Sequence, residues 1–346
     1  MKPTLSLPLV KLETLRERLL PAVPRLPHVE WVQRKSPLLH TGPAADQPDV
    51  LALNIANGCA HRCTFCSVRA YPSYRGDDVV YLPSDLADRL AQELASRRER
   101  PRAVVISPST DPCMPLVEVQ AATAQAVEVL AAHGVEAWLA TRGLIRPRLL
   151  DVLARHRQRV RVTVGMTTVD RTWQRALEPL AAPPKLRLRQ LAALREAGIP
   201  VNVQAAPLIP GVTDLRPNLE ALLAALAEAG VQQISAGYLF LRQGIQENLT
   251  AALKLLGFNE SVLHEYGRGL VLAAGGLQAA RYLSRQRRQQ GYAVLMTLAA
   301  AYGIGVRICA LTNPDFVGPR LEARPAPRLF AAAPDLPARR RSPAAG

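Results

Sequence analysis

Between residues 50 and 245, short apolar runs alternate with longer segments whose apolar positions recur every three or four residues. Val50–Asn54, Ala103–Ser107, Ala137–Thr141, Arg161–Gly165, Val201–Pro207 and Gln233–Tyr238 are short and rich in Val, Ala and Leu. Such runs predict buried strands. The segments between them predict helices. Leu86, Leu90 and Leu94 share one helical face behind Ser84, a plausible N-cap. Val119–His133 is a helix ending before Gly134, where glycine suits a C-cap. A helix opens at Pro147, whose ring fits a first helical turn. Leu186–Ala197 stops at Gly198 and Asn218–Ala229 at Gly230. Repeated strand–helix steps imply a parallel sheet covered by helices, an α/β fold. An open doubly wound sheet and a partial barrel both satisfy the pattern. In either, functional groups collect in the loops at the C-terminal strand ends. Cys59, Asp111 and Arg142 fall in such loops.

The flanks differ. Residues 1–49 are interrupted by proline and weakly periodic, an N-terminal extension in which His40–Asp49 reads as a linker. Residues 50–245 form the core domain, and 246–316 a helical and irregular segment packed on it. Within that segment Gly305–Leu311 is strand-like, which makes Cys309 a core residue, and Asn313–Asp315 reads as a turn. Arg281–Arg288 is basic with one aromatic, and reads as a solvated helix face rather than a phosphate-binding one. Residues 317–346 are rich in Pro, Ala and Arg and predict a disordered tail.

Of 346 residues, 49% are apolar, enough for a sizeable core. No apolar run reaches the length of a bilayer span, and the first residues lack a signal-peptide block, so a soluble cytoplasmic protein with no membrane partner is expected. Lys and Arg number 43 against 28 acidic residues, a net charge of +15. A nucleic-acid partner and plain compositional enrichment in arginine account for that excess equally well.

Five cysteines in so long a chain argue against a disulfide framework. Three of them fall in Asn57-Gly58-Cys59-Ala60-His61-Arg62-Cys63-Thr64-Phe65-Cys66, with the spacing C-x3-C-x2-C. Thiolates suit iron–sulfur clusters and zinc. Three thiolates on a [4Fe–4S] cube leave one iron open to a small molecule. Zinc with His61 as fourth ligand would crowd all four ligands into one tight loop, whereas structural zinc sites pair two ligand clusters. The spacing therefore favours iron–sulfur. A nucleic-acid-binding module with a structural metal is the alternative from another functional class.

Following a strand, with an aromatic residue before its last cysteine, this loop resembles the signature of the radical S-adenosylmethionine (SAM) superfamily. The resemblance implies a partial (β/α)6 barrel. It implies a [4Fe–4S] cluster on Cys59, Cys63 and Cys66, whose open iron binds the amino and carboxylate groups of SAM. An electron donor such as flavodoxin or ferredoxin is then needed. SAM is cleaved to methionine and a 5′-deoxyadenosyl radical, which abstracts hydrogen from a substrate. Phe65 would lie against the adenine.

Further segments resemble the spore photoproduct lyase and DNA repair photolyase-like branch. They are Leu53-Asn54, Arg69, Ser109-Thr110-Asp111-Pro112, Thr141-Arg142, Thr163, Glu178-Pro179, Arg187-Leu188, Ala197-Gly198-Ile199 and Pro207, in that order. That resemblance implies that Ser109, Thr110 and Asp111 bond the SAM ammonium, Arg142 its carboxylate, and Thr163 its carboxylate or ribose. Arg187 either touches a ligand or pairs with Glu178. One position departs: where spore photoproduct lyase carries a hydrogen-donating cysteine, this chain has Pro108. Cys113, five residues on, is the candidate catalytic hydrogen donor, set against the plainer reading of a buried thiol.

Overall fold

The computed structural model describes residues 22–42, 47–71, 73–242, 244–259, 261–274 and 277–316. The tail from residue 317 and much of the N-terminal extension lie outside these. The strands are β1 (His28–Val32), β2 (Leu39–Thr41), β3 (Val50–Leu53), β4 (Val79–Pro83), β5 (Ala103–Ile106), β6 (Glu136–Thr141), β7 (Val160–Gly165), β8 (Val201–Leu208), β9 (Gln233–Tyr238), β10 (Val271–Ala274), β11 (Leu277–Arg281) and β12 (Gly305–Ile308). The helices are α1 (Leu86–Ser96), α2 (Val117–Ala132), α3 (Pro147–Arg155), α4 (Arg171–Leu177), α5 (Pro184–Glu196), α6 (Arg216–Glu228), α7 (Gln246–Leu255), α8 (Ser261–His264) and α9 (Arg285–Ala301).

Seven strands run parallel in chain order, β3-β5-β6-β7-β8-β9-β12, with β2 antiparallel beside β3. Leu53 sits beside Ile106, Ile106 beside Leu139, Leu139 beside Val162 and Val162 beside Val201. The strands are rich in buried apolar residues, as expected of a parallel sheet covered on both faces. The two ends of the sheet, β2 and β12, do not pair with each other, so the sheet is not a closed barrel.

The predicted helices are present. α1 buries Leu86, Leu90 and Leu94, with Asp85 rather than Ser84 in the capping position. α3 opens at Pro147. The linker reading of residues 40–49 gives way at its start. Leu38 and Leu39 are buried, and their N–H groups donate to the Glu93 carboxylate of α1 at 2.7 and 3.0 Å. That anchor draws β2 onto the sheet without any local periodicity. β1 likewise pairs in parallel with β4.

The basic segment Arg281–Arg288 is a correction: it is only half solvated. Arg281 and Arg285 are exposed. Arg287 donates to Asp214 at 2.8 Å and to Glu265 at 2.9 Å. Arg288 is fully buried, donating to Leu283 O, Asn313 Oδ1 and both oxygens of Asp315, with its guanidinium 4.6 Å from the Phe316 ring. The Asn313–Asp315 turn exists as the acceptor for this arginine.

Gly291 lies in mid-helix α9, where glycine normally weakens a helix. A Cβ there would overlap the Tyr238 hydroxyl, which donates to Asp214 at 2.8 Å. Gly291→Ala should therefore destabilise the chain by about 1–3 kcal/mol despite its better helix propensity. A thermal melt showing a higher Tm would contradict this.

Candidate active site

The cysteine loop leaves β3 through a turn that only glycine accepts easily. Gly58 has φ +97°, and a Cβ on it would meet Val79 O at 2.8 Å. Asn57 and Tyr81 exchange both backbone hydrogen bonds at 2.9 Å, tying the loop to β4. Arg62, between the cysteines, has φ +54°, a left-handed conformation uncommon outside glycine. Past the last cysteine the chain makes a 3-10 turn, where Val68 N–H donates to Cys66 Sγ at 3.5 Å. Arg69 donates to Cys63 O at 2.7 Å and to both oxygens of Asp77 at 3.0 Å.

Cys59, Cys63 and Cys66 together line a cavity of about 330 Å3 at the C-terminal ends of the parallel strands. All three are free thiols. Burial, chiefly, pushes each above the ordinary thiol range, with neighbouring carboxylates adding to the effect. Metal binding at these positions would take each cysteine as its thiolate, with release of the thiol proton. As they stand, no three His, Cys, Asp or Glu side chains among the described residues are arranged to hold a metal ion. His61 is not the fourth member of a zinc site. Its Nδ1 lies 3.2 Å from Leu180 O, and its buried Nε2 faces Asp111 Oδ2 at 3.0 Å as an ion-pair contact rather than an aligned hydrogen bond, so the ring is turned toward Asp111.

Asp111 follows β5 and is buried at the cavity wall. Its Oδ1 accepts from Cys113 N–H at 2.8 Å and from the Thr141 hydroxyl at 2.7 Å; its Oδ2 accepts from Arg142 N–H at 2.7 Å and faces His61. Burial alone would raise its pKa, but the His61 charge and these hydrogen bonds hold it below the ordinary carboxylate range. Three of its acceptor sites are thus taken by the chain itself, while the residue still lines the cavity in which the ammonium-ligand role was expected.

Two hydroxyls nearby are unspent. Thr110 Oγ1 and Thr163 Oγ1 are buried without a partner. Thr110 lines the cavity. Thr163 lies beside Ala140 in register, two residues before Gly165, and both of those line the cavity, so all three share the sheet's inner face. Ser109 is half-buried, with its N–H on Asn54 Oδ1 at 3.3 Å, and is not part of the lining.

Arg142 reaches the cavity from the end of β6. It donates to Glu178, to the Thr167 hydroxyl at 3.1 Å and to Ala206 O, and its guanidinium lies 5.1 Å from the Phe65 ring centre. Glu178 also pairs with Arg187, which is fully buried, so the salt-bridge reading of Arg187 holds. Burial opposes ionisation of Glu178, but Arg142 and Arg187 override it and depress its pKa. Cys113 is fully buried and outside the lining. Its placement is that of a core thiol.

Comparison with known proteins gives this geometry a context. Residues 53–223 match the family model described as the Radical SAM superfamily. That stretch is a radical SAM domain. The chain is 29% identical over 207 residues to the uncharacterized protein ORF301 of Acidianus two-tailed virus, covering 56% of this chain and 68% of that one. It is 30% identical over 217 residues to an uncharacterized protein of Mycobacterium tuberculosis, covering 60% of this chain and 64% of that one. Its fold matches spore photoproduct lyase complexed with dinucleoside spore photoproduct, with a TM-score of 0.65, 12% identity and 81% of each chain covered. That structure supports the partial barrel.

The radical SAM match stops short of part of the cavity wall. Gly237, Leu239, Phe240 and Thr312 line it from beyond residue 223. None carried a signal in the sequence. Thr312 sits where a side chain on residue 237 would be, a pairing only the fold creates. Thr167, a partner of both Arg142 and Glu178, was equally silent.

Two expectations follow. Cys113→Ala should leave iron loading and SAM cleavage within about twofold of wild type while costing about 1 kcal/mol of stability, the loss of a small buried group; loss of activity in a stable protein would restore Cys113 to the chemistry. Asp111 and Glu178 both have folded pKa values below their unfolded ones. Their stabilisation is fully present above about pH 5 and is lost progressively as pH falls through the folded values. Urea denaturation from pH 6 downward should show that decline, and Asp111→Asn should be weaker at pH 6 with a flatter acid limb.

Proposed function

We propose that this chain is a radical SAM enzyme that binds a [4Fe–4S] cluster through Cys59, Cys63 and Cys66. It takes SAM in the adjoining cavity and abstracts hydrogen from a substrate. The observation that carries this reading is three free thiols on the wall of one cavity at the C-terminal ends of a parallel sheet. The donor set fits the group. Soft thiolates suit iron–sulfur, and two orphaned hydroxyls and one arginine beside them suit a zwitterionic ligand. When bound, the cluster supplies the electron that cleaves SAM to methionine and a 5′-deoxyadenosyl radical.

The residues of the chain bind and orient. Arg142 takes the carboxylate of SAM, and its other hydrogen bonds fix its direction. The hydroxyls of Thr110 and Thr163 bond the ammonium or ribose, which would satisfy both. Phe65, already under the Arg142 guanidinium, offers an apolar surface to the adenine. Asp111 holds the loops after β3, β5 and β6 in register. Flavodoxin or ferredoxin is the proposed electron donor, and the cytoplasm the proposed compartment.

For the substrate, the reading we favour is a nucleic acid. Arg242 lies 5.3 Å from the Phe240 ring, in the cavity wall, and 5.8 Å from the Tyr71 ring. Arg242, Lys254 and Arg281 line a neighbouring groove of about 800 Å3, with Glu247 as its acidic member. Aromatic rings with guanidinium beside a basic groove suit bases and phosphates. The fold neighbour's bound dinucleoside photoproduct points the same way. The basic face of α9 is not part of this support.

Anaerobically reconstituted protein should hold about four irons per chain. With dithionite and SAM it should release 5′-deoxyadenosine, and Cys59→Ala, Cys63→Ala or Cys66→Ala should abolish both. One zinc and no iron after anaerobic purification would overturn the reading in favour of a binding module with a structural metal. Deuterated oligonucleotides should pass label into 5′-deoxyadenosine; label arriving only from peptides or small metabolites would overturn the substrate class.

A further inference from the structure

The segment Leu177–Ala182 lies more than a hundred residues beyond the cysteine loop, yet it holds that loop along its length. Thr64 N–H and the Thr64 hydroxyl both donate to Leu177 O, at 2.9 and 3.3 Å. Leu180 N–H donates to His61 O at 3.2 Å, and His61 Nδ1 meets Leu180 O in return. Ala182 N–H donates to Arg142 O at 2.9 Å. In the middle stands Glu178, buried, with Arg142 and Arg187 on its two carboxylate oxygens and the Thr167 hydroxyl at 3.0 Å.

Two guanidinium ions share the Glu178 carboxylate, while Asp111, the other buried carboxylate beside Arg142, takes its backbone N–H. Arg187 and Glu178 are shut away from solvent, whereas Arg142 lines the cavity with its side chain 18% exposed. Of the three groups joined at Glu178, the Arg142 guanidinium is therefore the one presented at the cavity wall beside the thiols. Glu178 fixes where that charge points, because it and Ala206 O hold the guanidinium over Phe65.

We propose that Glu178 is a positioning residue: acting through Arg142, it sets the affinity and orientation with which the cavity takes the carboxylate of SAM. This rests on the reading that the cavity binds SAM. A substitution at residue 178 leaves the backbone contacts of Leu177 and Leu180 in place, so the loop keeps its support and the cluster its ligands.

The test uses reconstituted holoprotein as wild type, Glu178→Gln and the double variant Glu178→Gln/Arg187→Met. The double variant removes the carboxylate and one guanidinium together, restoring the charge balance around Arg142. Iron content, Tm, the electron paramagnetic resonance spectrum of the dithionite-reduced cluster titrated with SAM, and KM against kcat for 5′-deoxyadenosine release are measured on each. Iron content should match wild type in both variants. The SAM concentration giving half the spectral change should rise about tenfold in both, the size expected for one charge-assisted hydrogen bond lost. KM should rise with it more than kcat falls. Tm should drop in Glu178→Gln and return toward wild type in the double variant. A half-saturating concentration that returns with Tm, or one unchanged in Glu178→Gln, would overturn the proposal. Should Glu178→Gln fail to fold, the double variant decides alone, by its half-saturation at near-native Tm. A wild-type spectrum that does not respond to SAM would instead remove the underlying reading.

Discussion

Three donors converge on the carboxylate of Asp111, with the His61 ring 3.0 Å from it, and through these contacts three separate loops become one wall. His61 belongs to the loop after β3, Cys113 to the loop after β5, and Thr141 and Arg142 to the end of β6. Parallel strands fix only where each loop starts. Something must hold the loops together once they leave the sheet, and here a buried anion does so. Burying a carboxylate is costly, and the cost is met only when its lone pairs are all satisfied. That condition leaves little freedom. Moving any one of the three loops would strand a charge in the interior.

Glu178 repeats the device on the other side of the thiols. Between the two carboxylates lies Arg142, its backbone N–H on Asp111 and its guanidinium on Glu178. One residue thus joins both anchors, and the thiol-bearing loop is gripped at His61 from one and at Thr64 through the neighbouring Leu177 from the other. The rigidity of the site arises from polar groups that touch no ligand. The groups left over for a ligand are few: three thiols, the hydroxyls of Thr110 and Thr163, and the outward edge of Arg142.

Much of this was legible in the sequence, and the illegible part has a common cause. Strand and helix periodicity located the sheet from Val50 to Tyr238, because buried strands and amphipathic helices leave one-dimensional patterns. The cysteine spacing and the order of Ser109–Asp111, Arg142, Thr163 and Glu178 marked the loops that matter. Which of these residues face a ligand and which face one another was not legible. Asp111 as a ligand contact and Asp111 as an internal anchor ask for the same residue at the same place, and only the count of its donors separates them. Cys113 was similarly ambiguous until its burial was known. Leu38 and Leu39 joined the sheet through Glu93, and Gly237 met Thr312, by long-range contacts that no local pattern records.

The charge of the chain reads differently once its arginines are placed. Arg288 is a structural cation that fastens residues 313–316, and Arg287 bridges Asp214 and Glu265. Arg187 is spent on Glu178. A large formal excess of arginine therefore says little by itself about polyanion binding, since several of the most suggestive guanidiniums are internal. What bears on a partner is position relative to the cavity. Arg242, between Tyr71 and Phe240, lies next to the wall that the superfamily match does not cover, and Arg281 opens onto the same neighbouring groove. The thiols fall within the stretch that the superfamily model matches; Phe240, Leu239 and Thr312, on the wall of the same cavity, fall beyond it. The cavity is thus built from two stretches of sequence, and Arg288, by fixing the turn that follows Thr312, anchors the second of them.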